Sequence, residues 1–483
     1  MLTRTVLPRA ATRTVLPCAL ALTALLAALC GTVTGGNALA HHQPLYAWYG
    51  LDAALFALAV LLLRRVPERQ VVPLVLLGSL AVAAVGLLTP PRTSDDAYRY
   101  VWDGRVQAAG ISPYRYAPDD PALARLREPD LFPTGGTCVQ WDERRTAAGD
   151  CTLINRPAVH TIYPPVAEAW FLAVHPFGRG VRGVQAGGAL LAVATTGVLL
   201  LVGQDRRRAA LWGWCPGVTV WSVNDAHIDT LGALLMVAGL GYAARRRARL
   251  GGALLGAAVA TKLLPALALP GALSGALAGF PGRRPNRREL RHALTVLGAA
   301  VAAFALAYLP YVAVSGAGVL GFLPGYLQEE GYDQGHIDRF GLLRLVLPDP
   351  LVPWAAALLL GAVVLRVLWR GDPARPWGGA LLVTGTALLV VTPSYPWYGL
   401  LVVALVALDG RWEWLAVPAA GQVLYLLGGD EVQQKAYGMA LLCVLTGALV
   451  RRRRVAARLG ERVGEQAGQR AGDPPVVEPV ALD

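Results

Sequence analysis

Apolar runs of about 17–22 residues, parted by short arginine clusters, set the limits on what this chain can fold into. A bilayer core offers no water to backbone N–H and C=O groups, so such runs satisfy them internally, as helices. Composition agrees: 55% of positions are hydrophobic and 16% charged, against about 25% charged in soluble domains. The chain reads as an all-α, polytopic transmembrane helical bundle embedded in a lipid bilayer.

The net charge of +12 raises the question of nucleic acid. The arginines answer it, because they lie at Arg64 and Arg65, Arg206 to Arg208, Arg245 to Arg249, Arg283 to Arg291 and Arg451 to Arg454, each group flanking an apolar run. That is the positive-inside pattern, which sets orientation. The basicity reports topology, with some attraction to anionic lipid, and no nucleic-acid partner follows. The N-terminus, with Arg4, Arg9 and Arg13 before an apolar run from Val15, has the look of a signal peptide. Its apolar run continues to about Val33, which favours retention as a first span.

Spans are expected near 15–34, 46–63, 71–89, 184–202, 209–223, 228–244, 292–312, 351–369, 377–392, 397–409, 413–428 and 437–450. Within 250–280, two short helices meeting near Lys262 keep the arginine clusters on one side. The total is about 12–14 spans with both termini cytoplasmic. Residues 1–70 form an N-terminal segment and hairpin. Residues 71–450 form the main membrane domain, with an extracellular loop at about 90–182. Residues 451–483 form a basic tail without fixed structure. The loop holds Pro, Tyr and Trp and should fold against the membrane. Tyr163, Pro164 and Pro165 open a short juxtamembrane or re-entrant helix, since proline suits a first helical turn. Of six cysteines, only Cys138 and Cys151 lie outside the apolar runs. In an oxidising compartment they would form a disulfide, contributing about 2–4 kcal/mol.

Candidate chemistry collects at the outside ends of spans. The segment SDDAYRYVWDG at 94–104 follows the third run. If helical, it puts Asp96, Arg99, Tyr100 and Asp103 on one face, leaving Tyr98, Val101 and Trp102 to press onto the membrane interface. A carboxylate beside a tyrosine near lipid is a candidate general base; a self-paired, solvated face is the plainer reading. Asn224, Asp225, His227 and Asp229 crowd one turn. Helix capping accounts for an Asn or Asp there but leaves His227 without a task. One histidine with nearby acids falls far short of a metal signature. Lys262, one of two lysines among 44 basic residues, stands roughly 18 Å from the inner boundary, counting 1.5 Å per helical residue. It can meet a lipid phosphate or snorkel without function. His336 lies in an outside cluster, YLQEEGYDQGHIDRF; Tyr395 and Trp397 lie in SYPWY; Tyr163 and Glu168 mark the juxtamembrane helix.

The order of these elements resembles the C-type (GT-C) glycosyltransferase superfamily, specifically the polyprenol-phosphate-mannose-dependent mannosyltransferases of glycosyltransferase family 87. The resemblance covers about residues 71–409, and rests on the acidic pair, YPP, the Asn-Asp-Ala-His-Ile-Asp turn, the lysine before Leu-Leu-Pro, and TPSYPWY. It implies transfer of a hexose, here mannose, from a polyprenyl-phosphate-sugar donor to a glycolipid or glycan acceptor of the cell envelope. The transfer would take place on the extracellular face, with inversion. Asp96 or Asp95 would be the base. Lys262, His227, Arg99 and His336 would neutralise the donor phosphate, and Tyr100, Asp103, Tyr163, Glu168, Asp225, Asp229, Tyr395 and Trp397 would bind substrate. The resemblance implies catalysis without a cofactor or bound metal. The first two spans precede the family's usual acidic loop and form an accessory hairpin. A transporter or flippase is the rival reading, since broken helices and intramembrane charges suit it too.

Overall fold

The computed structural model describes residues 9–35, 43–135, 138–279, 286–329 and 339–472. Three apolar helices come first: α1 (Arg9–Thr34), α2 (Gln43–Leu63) and α3 (Glu68–Gly86). The long loop that follows supplies α4 (Asp96–Ala108), a hairpin of β1 (Arg144–Arg145) and β2 (Cys151–Thr152), and α5 (Pro165–Val174). Next come α6 (Arg182–Val202), α7 (Ala210–Gly213), a π-helical turn (Val218–Asn224), α8 (Asp229–Ala244), α9 (Ala248–Val259) and α10 (Leu269–Ala272). The C-terminal part holds α11 (Arg287–Ser315), α12 (Leu323–Glu329), α13 (Val352–Arg370), α14 (Pro376–Val391), α15 (Leu400–Asp409), α16 (Ala416–Leu427) and α17 (Asp430–Gly472).

The all-α membrane bundle stands, with fewer full-length spans than the apolar runs promised. Among the described residues six helices are long and apolar enough to cross a membrane, seven if the bent pair 218–224 and 229–244 counts as one. The other runs fold as shorter pieces: Ala248–Val259, Pro376–Val391 and Pro396–Asp409 are each below full spanning length. Prolines and glycines explain the breaks. Lys262 falls in the gap after α9, and Pro265 and Pro270 open the pieces that follow. Two short helices therefore do meet near Lys262, as parity required.

Two main apolar cores form among the described residues. The larger joins α1–α3 to α6–α9 and α14–α17. Close approach tightens it: a Cβ at Gly252 or Gly256 of α9 would come 2.2 or 2.1 Å from a carbonyl of α11, the small-residue contact that membrane helices use. The smaller core centres on α4 of the loop and takes in Val184 and Leu191 of α6 and Leu231 of α8. Here the structure corrects an expectation. Tyr98, Val101 and Trp102 do not press onto the membrane interface; they are buried in the loop's own core, Trp102 edge-on to Phe132. Nor are residues 451–472 without structure, because α17 continues through them to Gly472. Its Ala, Arg, Glu and Gln carry little helix penalty.

The arginine clusters gather at one end of the helices. Arg207 pairs with Glu68 and donates to the Val66 carbonyl, and Arg208 donates to that of Asp409. Arg246 makes a two-point pair with Glu289. The opposite ends of α3, α8, α9, α14 and α16 bound the site.

Candidate active site

A polar turn builds the floor. The π-helical turn bends by 110° into α8, with Ala226 in the left-handed region at φ +54°. A non-glycine residue held there costs about 1–3 kcal/mol and marks a conformation fixed by its surroundings. Asn224 Nδ2 donates to the carbonyls of Gly86, Thr89 and Pro90 at 3.0–3.2 Å, pinning the end of α3. Asp225 accepts from the backbone N–H groups of Arg92 and Thr93, both at 3.1 Å, and from the Thr93 hydroxyl. The turn therefore holds the strand of loop that leads into Asp95 and Asp96. This corrects the assignment of Asp225 to substrate: it is fully buried, and those donors occupy its carboxylate.

His227 then rises beside the acidic pair. Its ring stacks on Trp397 at 3.9 Å and 18°, and its Nδ1 lies 3.5 Å from Asp96 Oδ2. Neither ring nitrogen has a hydrogen-bond partner, although the side chain is entirely buried. Asp229 pairs with Lys262 at 2.5 Å, and the Lys262 ammonium lies 4.8 Å over the Tyr398 ring. Tyr395 stacks on Trp397 at 5.0 Å, and Tyr425 meets Trp397 edge-on at 5.5 Å. Asp96, His227, Asp229, Lys262, Tyr395 and Trp397 thus converge from four distant segments.

The helical face of α4 divides. Arg99 is buried and held by Asp103 at 3.1 and 3.2 Å and by the Val159 carbonyl at 3.2 Å. Arg99 is therefore not available to a phosphate, nor Asp103 to a sugar; the pair braces the loop core. Burial pushes the Asp103 carboxyl up against the pull of Arg99. Tyr100 is shut in by Phe171, stacked at 4.5 Å, and by Tyr163, edge-on at 5.0 Å. Glu168 is buried and accepts from Thr161 and Gln107 at 2.8 and 2.9 Å. Tyr100, Tyr163 and Glu168 thus pack beneath the site, where the family resemblance had set them among substrate contacts. His336 lies outside the described residues.

Asp95 is the N-cap residue of α4. Burial and the neighbouring Asp96 charge raise its carboxyl, Arg144 and Asn155 pull it back, and it settles at about 6. Arg144 Nη2 lies 2.7 Å from Asp95 Oδ2, and Asn155 Nδ2 reaches both carboxylates. The sequence reading missed Arg144 and Asn155, and nothing in their local pattern marks them. It also missed Arg92, whose Nε and Nη2 are buried without a partner. Cys138 and Cys151 are joined as a disulfide, with Cα atoms 5.4 Å apart, and β1 pairs antiparallel to β2. Among the described residues no group of three or more His, Cys, Asp or Glu is set to hold a metal ion.

The arrangement can remove a proton (Asp96), meet an anion (Lys262, Arg92) and lay a flat aromatic wall beside a ring-shaped substrate. Residues 15–278 match the family model described as α-(1→6)-mannopyranosyltransferase, N-terminal domain. No curated protein and no solved structure matches. The matched stretch is over half of the chain and contains Asp95, Asp96, Asn155, His227 and Lys262. The chain belongs to the MptA/B family of GT-C mannosyltransferases, and is a multi-pass membrane α-(1→6)-mannosyltransferase.

Proposed function

We propose that this mannosyltransferase takes mannose from a polyprenyl-phosphate-mannose donor and attaches it to a glycolipid or glycan acceptor of the cell envelope, on the extracellular face. The observation that carries the reading is the meeting of Asp96 Oδ2 and His227 Nδ1 at 3.5 Å, beside the Asp229–Lys262 pair and the Trp397 wall.

Asp96 takes the proton of the acceptor 6-hydroxyl as that oxygen attacks the anomeric carbon. The bond from that carbon to the phosphate oxygen breaks, and polyprenyl phosphate leaves with the bonding electrons. Attack from the opposite face inverts the centre, so a β-linked donor yields the α-(1→6) product. Charge develops on the leaving phosphate, where preorganised cations act most strongly. Lys262 and Arg92 are the cations for it, and the open nitrogens of His227 offer a hydrogen bond. Of the two acids, Asp96 is the better base, because Arg144 and Asn155 hold Asp95 on both oxygens. Extracellular placement, with both termini cytoplasmic, is supported by the arginine clusters at the far end of the same helices. The hairpin 1–70 then accompanies the catalytic domain 71–450 as an accessory.

The test is direct. Purified protein given polyprenyl-phosphate-mannose should release polyprenyl phosphate only when an acceptor mannoside is present. Full release by Asp96→Asn would remove the base assignment, and release without acceptor would remove the transferase chemistry.

A further inference from the structure

Asp95 and Asp96 are consecutive, so their side chains leave the backbone in different directions, yet one side chain touches both. Asn155 Nδ2 lies 3.1 Å from Asp95 Oδ1 and 2.6 Å from Asp96 Oδ1. Each remaining oxygen has its own neighbour: Arg144 Nη2 at 2.7 Å from Asp95 Oδ2, and His227 Nδ1 at 3.5 Å from Asp96 Oδ2. A line of contacts therefore runs Arg144, Asp95, Asn155, Asp96, His227.

Arg144 and Asn155, the two donors that hold the acids, come from one small unit. Arg144 sits on β1, opposite Thr152 of β2, and Asn155 follows β2 after two residues. The Cys138–Cys151 disulfide closes that hairpin at the base of β2. Two carboxylates side by side repel and tend to share a proton. A guanidinium on one and an amide bridging both oppose that tendency and fix where each oxygen points. The other titratable groups that feel this pair are Tyr98 and Tyr100 on α4, Tyr163, Asp229 with its partner Lys262, and Tyr425 of α16. None of these is within hydrogen-bonding contact of Asp96 among the described residues.

We infer that Asn155, delivered by the disulfide-closed hairpin, is a positioning residue that aims the Asp96 carboxylate at the acceptor hydroxyl, with Arg144 anchoring Asp95 as the fixed end of the clamp. The inference rests on Asp96 being the base. Asn155 acts through Asp96 and needs no contact with substrate. Misaligning a base costs rate far more than binding, so the signature is a loss in kcat with both KM values retained.

The experiment uses full-length protein in detergent, a polyprenyl-phosphate-mannose donor and a methyl α-mannoside acceptor. Asn155→Leu keeps the volume and removes the amide; kcat should fall by about 10²-fold with little change in either KM. Asn155→Gln, which restores an amide, should recover part of that loss. Asp95→Asn sets a second amide beside Asp96, so the Asn155→Leu loss should shrink in that background, a non-additivity expected of residues in contact. Arg144→Met should slow kcat by about tenfold and Arg144→Lys much less, since only the lysine keeps the charge. If Asn155→Leu fails to fold, judged by gel filtration and by mass of the intact disulfide, the two Arg144 variants decide. Equal rates for these two variants, strictly multiplicative losses in the double variant, or a Gln variant no better than Leu would overturn the inference. Wild-type rate in Asn155→Leu alongside inactive Asp96→Asn would end this inference alone; full rate in Asp96→Asn would end the base reading beneath it.

Discussion

The two ends of the bundle treat charge in opposite ways. At the arginine end, cations reach to helix carbonyls and to acids: Arg207 meets the exposed Glu68, Arg208 the Asp409 carbonyl, and Arg451 the buried Glu413. These contacts satisfy the orphan carbonyls that every helix terminus leaves. At the other end the charged groups are drawn inward. Asp225 and Asp229 are buried, His227 is buried with both nitrogens unused, and Asp96 keeps a fifth of its side chain exposed. A charge that caps a helix gains little from burial. A charge kept dry beside an open neighbour is costly, and such sites are functional candidates by default.

The contrast can be broken most decisively with a pair of acids. Asp96→Asn should lower mannose transfer by about 10²–10⁴-fold, the usual contribution of a general base, with membrane insertion retained. Glu413→Gln, at the arginine end, should leave the rate unchanged. A loss of turnover in the second variant would erase the distinction between the ends. Next in size is the Asp229–Lys262 pair. Lys262→Met leaves a buried carboxylate uncompensated, and such breaks cost about 3–5 kcal/mol. Thermal unfolding in detergent should fall accordingly and recover in the Asp229→Asn, Lys262→Met double variant. No recovery would mean that the lysine acts through packing instead.

A smaller effect concerns pH. The Asp95 carboxyl is raised to about 6 in the folded protein, above the usual carboxylate value of about 3.9. Its charged form is therefore disfavoured by folding: the stability contribution is present at low pH and lost as pH rises through 6. Activity runs the other way, because the Arg144 bridge needs ionised Asp95. Transfer should decline as pH falls through about 6, and Asp95→Asn should remove that limb. An unchanged limb would assign it to another group. Smallest of all, Arg207→Ala should cost about 0–1 kcal/mol, as a largely wet ion pair does. A larger fall in the unfolding temperature would show that the arginine end is more than a set of caps.

Much of the site was legible before the fold. Asp96, His227, Asp229, Lys262, Tyr395 and Trp397 stood out as polar or aromatic residues at span ends, where apolar surroundings make them conspicuous. They do meet. Helix spacing put Arg99, Tyr100 and Asp103 on the face of Asp96, but spacing says nothing about what covers that face. The loop folds over it, so the face turns from site to core one turn along α4. Asn155 and Arg144 carry no signal in their neighbourhood, since they act from 59 and 49 residues away, on and just after a small disulfide-closed hairpin.

By itself the sequence determined the solvent: long apolar runs and flanking arginines require a membrane bundle, and the membrane sorts polar groups to its two faces. Tertiary structure alone decided the partners. Asp225 grips a backbone 133 residues away, and Arg99 closes on Asp103 instead of facing a substrate. The physical reason is that burial and pairing depend on distant segments arriving together. Periodicity along one helix constrains which residues share a face and leaves open what that face will touch.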